Sequence, residues 1–315
     1  MRIAFIVDPL DQLKAYKDSS VAMMRAAERH GHEAWALQVD SLAWSQEGGV
    51  RGQALRVHTR PDDHDWYRET GRESLALKDF DAVVMRKDPP FDVEYVTATW
   101  LLERAEAEGA RIFNKPRALR DHSEKFATAE FPQFTVPALV TRDSHALQAF
   151  IDTQRDVVMK PLDGMGGSSI FRVHRNEPNR NVIIEVLTQL GQRTVMAQRF
   201  IPEISHGDKR ILLINGKPVP YALARIPKAG ETRGNLAVGG TGVAQELSPR
   251  DRQIAESLGP VLAARGLFLV GLDVIGDWLT EINVTSPTCM VEIQQQTGFD
   301  VAGAFITALE HACGS

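Results

Sequence analysis

Up to about residue 120, short apolar runs alternate with stretches of helical periodicity. Residues 2–7, RIAFIV, read as a hydrophobic strand. Asp18-Ser19-Ser20 then supplies an N-cap for a helix that runs to His30, where Gly31 stops it. HEAWALQ at 32–38 is a second strand and DAVVMRK at 81–87 a third. Asp88-Pro89-Pro90 ends the third, since two prolines cannot continue a ladder. Asp92 caps a long helix in which Val93, Val96, Trp100 and Leu101 recur at helical spacing and Gly109 marks the end. RIFN at 111–114 is a fourth strand. Strands alternating with helices predict a parallel, doubly wound α/β sheet.

Beyond that point the order changes. VVMKPLDGMGGSSIFRV at 157–173 is a strand, a glycine-rich turn and a strand. NVIIEVLTQLG reads as a helix and TVMAQRFI as a strand. RILLINGKPVPYALARI folds into two strands around Asn215-Gly216, a strong hairpin signal. A helix over SPRDRQIAESLGPVLAARG ends at Gly266. LFLVGLDVIG and LTEINVTSP form another strand pair across Gly276-Asp277, and a helix over about 300–312 closes the chain. Antiparallel strands flanked by helices predict an α+β region. Residues 226–242, IPKAGETRGNLAVGGTG, hold five glycines and three charges, a poor core element. So long a loop is either a lid over a site or a solvent-exposed connection.

Composition narrows the function classes. With 315 residues the chain can form two or three domains sharing clefts. A net charge of −5 gives no basic excess for nucleic acid or membrane surfaces. Asp8 interrupts the first apolar run, and nowhere do some 18 apolar residues run together, so neither a secretory signal nor a membrane span is expected. Two cysteines, Cys289 and Cys313, are too few for a disulfide framework or a four-ligand zinc site, which favours a cytoplasmic location.

Three constellations carry candidate chemistry. Lys160 precedes Asp163-Gly164-Met165-Gly166-Gly167-Ser168-Ser169. Glycines let backbone amides approach a phosphate, and the lysine adds a compact positive charge. The string is neither a P-loop nor a dinucleotide fingerprint, and an ordinary hairpin turn is the plain alternative. Asp273, Glu281 and Asn283 form the second. Glu281 and Asn283, two apart on a strand, share a face, and pairing through Gly276-Asp277 brings Asp273 near them. Oxygen donors converging among Phe268, Leu269, Val270, Leu272, Val274 and Ile282 suit a hard cation; a solvated polar face is the alternative. The third is a spread of arginines, Arg86, Arg210, Arg225 and Arg233, able to grip carboxylates, though each alone reads as a surface ion pair. Arg86 stands out because it ends a strand, where open α/β sheets bind ligands. No G-x-S-x-G or H-E-x-x-H frame occurs; His58, His64 and His206 read as surface residues.

MRKDPPFD at 85–92, KPLDGMGGSSIFR at 160–172, ARIPKAGETRGNLAVGG at 224–240 and LTEINVTSPT at 279–288 together resemble the bacterial glutathione synthetases, a family of ATP-grasp ligases. The resemblance extends from DPL and KDSS near the start to the last helix, departing at Ser123, where the family pattern has Asn. It implies a Rossmann-like domain over 1–122 followed by a two-lobed ATP-grasp fold, with a central lobe over 123–201 and a C-terminal lobe over 202–315 whose lid is 226–241. It further implies that Lys125, Lys160 and the loop Gly164, Met165, Gly166 and Gly167 hold ATP, with Gln198, Arg199, Phe200 and Ile201 at the adenine and Asp208 near the ribose. Glu281 and Asn283, with Asp273 as a further candidate, would ligate Mg²⁺ or Mn²⁺. Arg210, Arg225 and Arg233 would be the catalytic cations, and Arg86, Arg210, Arg225 and Ser286 would bind substrate.

The implied reaction joins γ-glutamylcysteine to glycine through an acyl phosphate made at the expense of ATP. It needs no protein nucleophile, only alignment, charge neutralisation and exclusion of water. The expected partners are these small molecules and other copies of the chain, a homotetramer being what the resemblance implies, with no nucleic acid or membrane. Three rivals follow: another ATP-grasp ligase acting on D-alanine or a peptide C-terminus, a nicotinamide oxidoreductase, and a non-catalytic nucleotide-binding scaffold. The absence of G-x-G-x-x-G after the first strand speaks against the oxidoreductase.

Overall fold

The computed structural model describes residues 1–314 apart from 229, 232, 235, 237 and 238. Three sheets carry the chain. The first begins with β1 (Arg2–Ile6), α1 (Ser19–Arg29) and β2 (Glu33–Leu37). Asp18 caps α1 by accepting from the amides of Ser20 and Val21. β3 (Ala43–Ser45), β4 (Gly49–Thr59), β5 (Tyr67–Ala76), β6 (Ala82–Met85), α2 (Val93–Ala107), β7 (Ile112–Phe113) and α3 (Pro116–Asp121) complete this part.

Strands β2, β1, β6 and β7 are parallel, as their apolar runs predict. The sheet is not parallel throughout, however. β3, β4 and β5 extend it with antiparallel pairings. β4 alternates buried and more open positions, whereas β5 is mostly exposed and so lacks the continuous apolar run that marks the parallel strands.

The second sheet is antiparallel, in the order β10-β9-β11-β8. It comprises β8 (Ala138–Thr141), β9 (Asp156–Pro161), β10 (Phe171–His174) and β11 (Val195–Arg199), with α4 (Ser144–Gln154) and α5 (Arg180–Thr188) on it. Leu147, Ile151, Met159, Ile184 and Val195 form a core that belongs to this layer alone.

The third sheet is antiparallel, in the order β14-β13-β12-β15-β16. Its strands are β12 (Asp208–Ile214), β13 (Lys217–Ile226), β14 (Thr241–Glu246), β15 (Leu269–Ile275) and β16 (Trp278–Asn283). α6 (Pro249–Ala264), α7 (Met290–Thr297) and α8 (Val301–Cys313) cover it. The first and third sheets share cores: Phe5 of β1 lies in one cluster with Phe268 and Phe305, and Val83 and Leu102 in another with Leu258 and Leu272. The second sheet is therefore the independently packed element, and it faces the third across the cavity described next. No described helix is long and apolar enough to cross a membrane.

Candidate active site

A cavity of about 320 Å³ lies between the second and third sheets. Asp88 and Pro89 close it from the first. Its floor comes from β9, β12, β13, β15 and β16, and its rim includes the glycine turn after β9.

β15 and β16 pair through the Gly276-Asp277 turn as expected, which brings Asp273 to Glu281 and Asn283; Asp273 stands opposite Glu281 and Gly271 opposite Asn283. A β-bulge then leaves Thr280 without a partner across the ladder. As a result the Thr280 carbonyl faces the second sheet, where it accepts from Lys160 Nζ at 3.3 Å. Lys160 Nζ is also 3.3 Å from Glu281 Oε1, and Lys125 Nζ is 3.7 Å from the same oxygen. Lys125 donates to the Gly164 carbonyl at 2.6 Å and so ties the glycine turn to the carboxylate. In that turn Gly166 and Gly167 have φ of +61° and +81°, conformations that glycine adopts without strain.

A second charge cluster lies alongside. Asp273 accepts from Arg210 Nε at 2.5 Å and Nη2 at 3.0 Å, and pairs with Arg225 Nη2 at 2.9 Å. Arg225 also pairs with Asp208. The three carboxylates Asp208, Asp273 and Glu281 thus meet the four cations Lys125, Lys160, Arg210 and Arg225. The excess of one positive charge suits an anionic ligand.

Burial and these neighbours move the protonation equilibria in different directions. Burial lowers the Lys160 pKa, and Glu281 only partly restores it. Burial would raise Glu281, but Lys125 and Lys160 hold it below the usual carboxylate range. Burial would raise Asp273 as well, but Arg210 and Arg225 outweigh it and pull it well down. Asp208 is pushed up to about 7, first by burial; Arg225 opposes this, while Asp273 and Glu281 add repulsion.

Residues singled out in the sequence fall into distinct places. Lys125, Lys160, the 164–167 turn, Gln198 to Ile201, Asp208, Arg210, Arg225, Arg233, Asp273, Glu281, Asn283 and Ser286 all line the cavity. Gln198 is buried and its Nε2 has no partner among the described residues. Asn283 gives its Nδ2 to the Gly271 carbonyl at 3.2 Å, which turns its acceptor oxygen away from that bond. Arg233 Nη1 reaches the Gly167 carbonyl at 3.4 Å and joins the 226–241 loop to the glycine turn. Five positions of that loop, 229, 232, 235, 237 and 238, lie outside the described residues.

Arg86 is the exception. It does not line the cavity but stands buried behind the wall, donating to Ser20 Oγ at 3.1 Å and to the Pro287 carbonyl at 2.9 Å. Strand-end position alone could not distinguish the wall from its support.

Several cavity residues were not singled out. Glu124 accepts from the amides of Val284 and Thr285, fixing the strand end that carries Asn283. Cys289 is buried in the wall at a φ of +88°, with its thiol pKa raised by burial. The Thr280 bulge has no sequence signal. For Glu124, adjacency to Lys125 was the available clue.

The comparisons with known proteins meet this geometry. Residues 1–120 match the family described as prokaryotic glutathione synthetase, N-terminal domain, and residues 124–298 match its ATP-grasp domain. The chain belongs to the prokaryotic glutathione synthetase family. A glutathione synthetase of Ralstonia nicotianae is 61% identical over 314 residues, covering 100% of this chain and 97% of that one. One from Shewanella oneidensis is 51% identical, covering 100% and 99%. Among solved structures, the D-cycloserine synthetase DcsG superposes with a TM-score of 0.68 at 17% identity, covering 99% and 100%. The ATP-grasp ligase PsnB, complexed with minimal precursor, Mg and ADP, gives 0.64 at 16%, covering 99% and 98%. These distant likenesses carry the ATP-grasp fold. Of the described cavity-lining residues, only Asp88 and Pro89 fall in the N-terminal match; the rest fall in the ATP-grasp match.

Proposed function

We propose that the cavity joins γ-glutamylcysteine to glycine through an acyl phosphate, with the two charge clusters serving the two halves of the reaction. ATP-dependent glutathione synthesis is the activity of this chain, as its family membership and near relatives establish. The observation that carries the division of labour is the side-by-side placement of a lysine pair on Glu281 and an arginine pair on Asp273.

Lys125 and Lys160 take the ATP phosphates, and the 164–167 turn folds over them. The unpartnered Gln198 Nε2 is a donor for the adenine. Asp208 lies near the ribose. Arg210 and Arg225 hold the cysteinyl carboxylate and then the transferred phosphoryl group, while Arg233 closes from the lid and Ser286 contacts the peptide. Arg86 acts from behind, by holding Pro287 in the wall.

The family uses a divalent metal, and the donors fit one. Glu281 and the free acceptor side of Asn283 offer hard oxygens inside the cavity, and Asp273 is one strand away. When bound, Mg²⁺ supplies charge neutralisation at the phosphates, and Mn²⁺ is expected to substitute.

One carboxylate oxygen attacks the γ-phosphorus as the bond to ADP breaks. The neutral glycine amine then attacks the acyl carbon, and inorganic phosphate leaves with the C–O electron pair and takes up the proton that the new amide nitrogen gives up. The chain's own residues orient the carboxylate, neutralise charge and keep water from the acyl phosphate. We divide the chain for this purpose at 1–122, 123–201 and 202–315. The separate core of the second layer supports the view that the central lobe moves as a body on nucleotide binding. A cytoplasmic homotetramer is the form we propose for the working enzyme.

ADP release measured with each substrate combination tests the reading. Release is expected only when γ-glutamylcysteine and glycine are both present. Release with D-alanine alone, and none with γ-glutamylcysteine, would overturn it.

A further inference from the structure

Away from the cavity, three side chains from separate elements converge. His30 ends α1, His32 precedes β2, and Glu310 lies on α8. His30 Nδ1 is 3.2 Å, and His32 Nε2 2.7 Å, from one oxygen, Glu310 Oε1. All three ligand atoms lie within 4.8 Å of one another. His30 is exposed and the other two are half-buried, so solvent ions have access.

The backbone explains the convergence. Gly31 has a φ of +79° and closes α1 in a left-handed turn, with the His32 amide donating back to the Ala27 carbonyl. That turn brings both rings to the α8 side. Arg29 pairs with Asp300 at 2.7 Å across the same junction, which sets α8 against α1 independently of the histidines.

We propose that His30, His32 and Glu310 form a binding site for Zn²⁺ or a similar transition-metal dication, with water in the open position. Two imidazole nitrogens and one carboxylate oxygen are a zinc donor set; Mg²⁺ takes oxygen ligands instead. Ligands on a tetrahedral zinc at about 2.0–2.1 Å stand about 3.3 Å apart. The 3.2 Å spacing is close to that and the 2.7 Å spacing is about 0.6 Å short of it, so small side-chain rotations admit the ion. His32 Nδ1 lies 3.1 Å from the Met1 amino group. The ion would clip α8 to the α1–β2 junction. None of the three residues lines the catalytic cavity, so the site is separate from the ATP metal.

The test titrates the chelator-stripped full chain with Zn²⁺ in excess Mg²⁺, by calorimetry and by thermal melting. We expect one Zn²⁺ per chain at this site and a melting point higher by about 4 °C at free zinc a hundredfold above Kd. Glu310→Gln and His30→Ala should each weaken binding at least tenfold, by about the loss typical of a metal-site ligand or its support. Ligation activity should remain that of the wild type in both. Because His30 is exposed, its variant guards against misfolding of the other. Co²⁺ should give tetrahedral absorption bands that both variants lose. No zinc uptake in excess Mg²⁺, or uptake undiminished in both variants, would overturn the site and leave only hydrogen-bonded surface ion pairs.

Discussion

Lys160 and Glu281 meet at 3.3 Å across the gap between two sheets that otherwise pack around different cores. Glu281 also holds Lys125 at 3.7 Å. One carboxylate therefore stores both lysines when the cavity is without phosphates. Burial weakens Lys160 as a cation, and Glu281 is the partner that offsets this. Arriving phosphates can take over the lysines, which releases Glu281 toward a cation entering with them. The pairing thus prepares an exchange of partners, with each buried charge matched before and after.

Replacing Glu281 by Gln separates these roles. Ligation should fall by two orders of magnitude or more, about the loss expected when charge stabilisation of a phosphoryl transfer is removed. ADP binding without metal should hold or tighten, because the lysines no longer have a competing anion. Activity assays with nucleotide binding measured with and without Mg²⁺ check this. Loss of metal-free ADP binding would count against the exchange.

Lys125 does two jobs, holding the Gly164 carbonyl at 2.6 Å and facing Glu281. Lys125→Met should raise the KM for ATP by about tenfold or more, as removal of a charge-assisted contact does. The glycine turn should also become more open to protease once untethered. Limited proteolysis with and without ADP reads the second effect. An unchanged KM for ATP would remove Lys125 from the phosphate site.

Much of this site was legible because strand geometry is local. The two-residue spacing of Glu281 and Asn283, and the Gly276-Asp277 turn, were enough to bring Asp273 near that pair; its place directly opposite Glu281 also needs the Thr280 bulge, because the unbroken register of the turn would set Thr280 there. The apolar runs of β1, β2 and β6 marked the parallel strands because both their faces are buried. β5 escaped notice because its exposed side chains leave no apolar pattern. The Thr280 bulge shifts the register inside a hairpin with no residue pattern to mark it, and Arg86's place behind the wall depends on Pro287, 201 residues away. Asp273 was grouped as a metal candidate by its neighbours on the sheet. Its grip on Arg210 and Arg225 comes from the β12–β13 hairpin, whose placement beside β15 the sequence pattern does not dictate.

Gly259 supplies a control in the scaffold. A Cβ there would sit 2.1 Å from the Gly216 carbonyl oxygen, and Gly216 itself has a φ of +75° in the hairpin turn. Backbone meets backbone, so no flexible side chain can yield. Gly259→Ala should cost about 1–3 kcal/mol or more, the range for overpacking. Neither glycine lines the cavity, so turnover per folded molecule should be unchanged. Denaturant melts and active-site titration together check both statements.

Asp273 makes the strongest demand on stability. It is the carboxylate shared by Arg210 and Arg225, both buried. Asp273→Asn leaves two guanidinium groups without that charge, and breaking such a pair costs about 3–5 kcal/mol. The pH dependence has a defined sign. Burial raises the Asp273 pKa, but the arginines lower it more, so the folded value lies below the ordinary 3.8. The ion pair's stabilisation is therefore complete above the unfolded value and is lost as pH falls below it toward the folded one. Asp208, pushed up to about 7, acts oppositely, favouring the fold as it gains a proton. The informative quantity is thus the difference between wild type and Asp273→Asn in melting temperature. That gap should narrow as pH falls through about 4, where ordinary carboxylates titrate; nearer neutral pH it also carries Asp208, whose pKa falls once the repulsion of Asp273 is gone. A gap that stays constant down to pH 3 would mean that the aspartate contributes through shape and hydrogen bonding rather than charge.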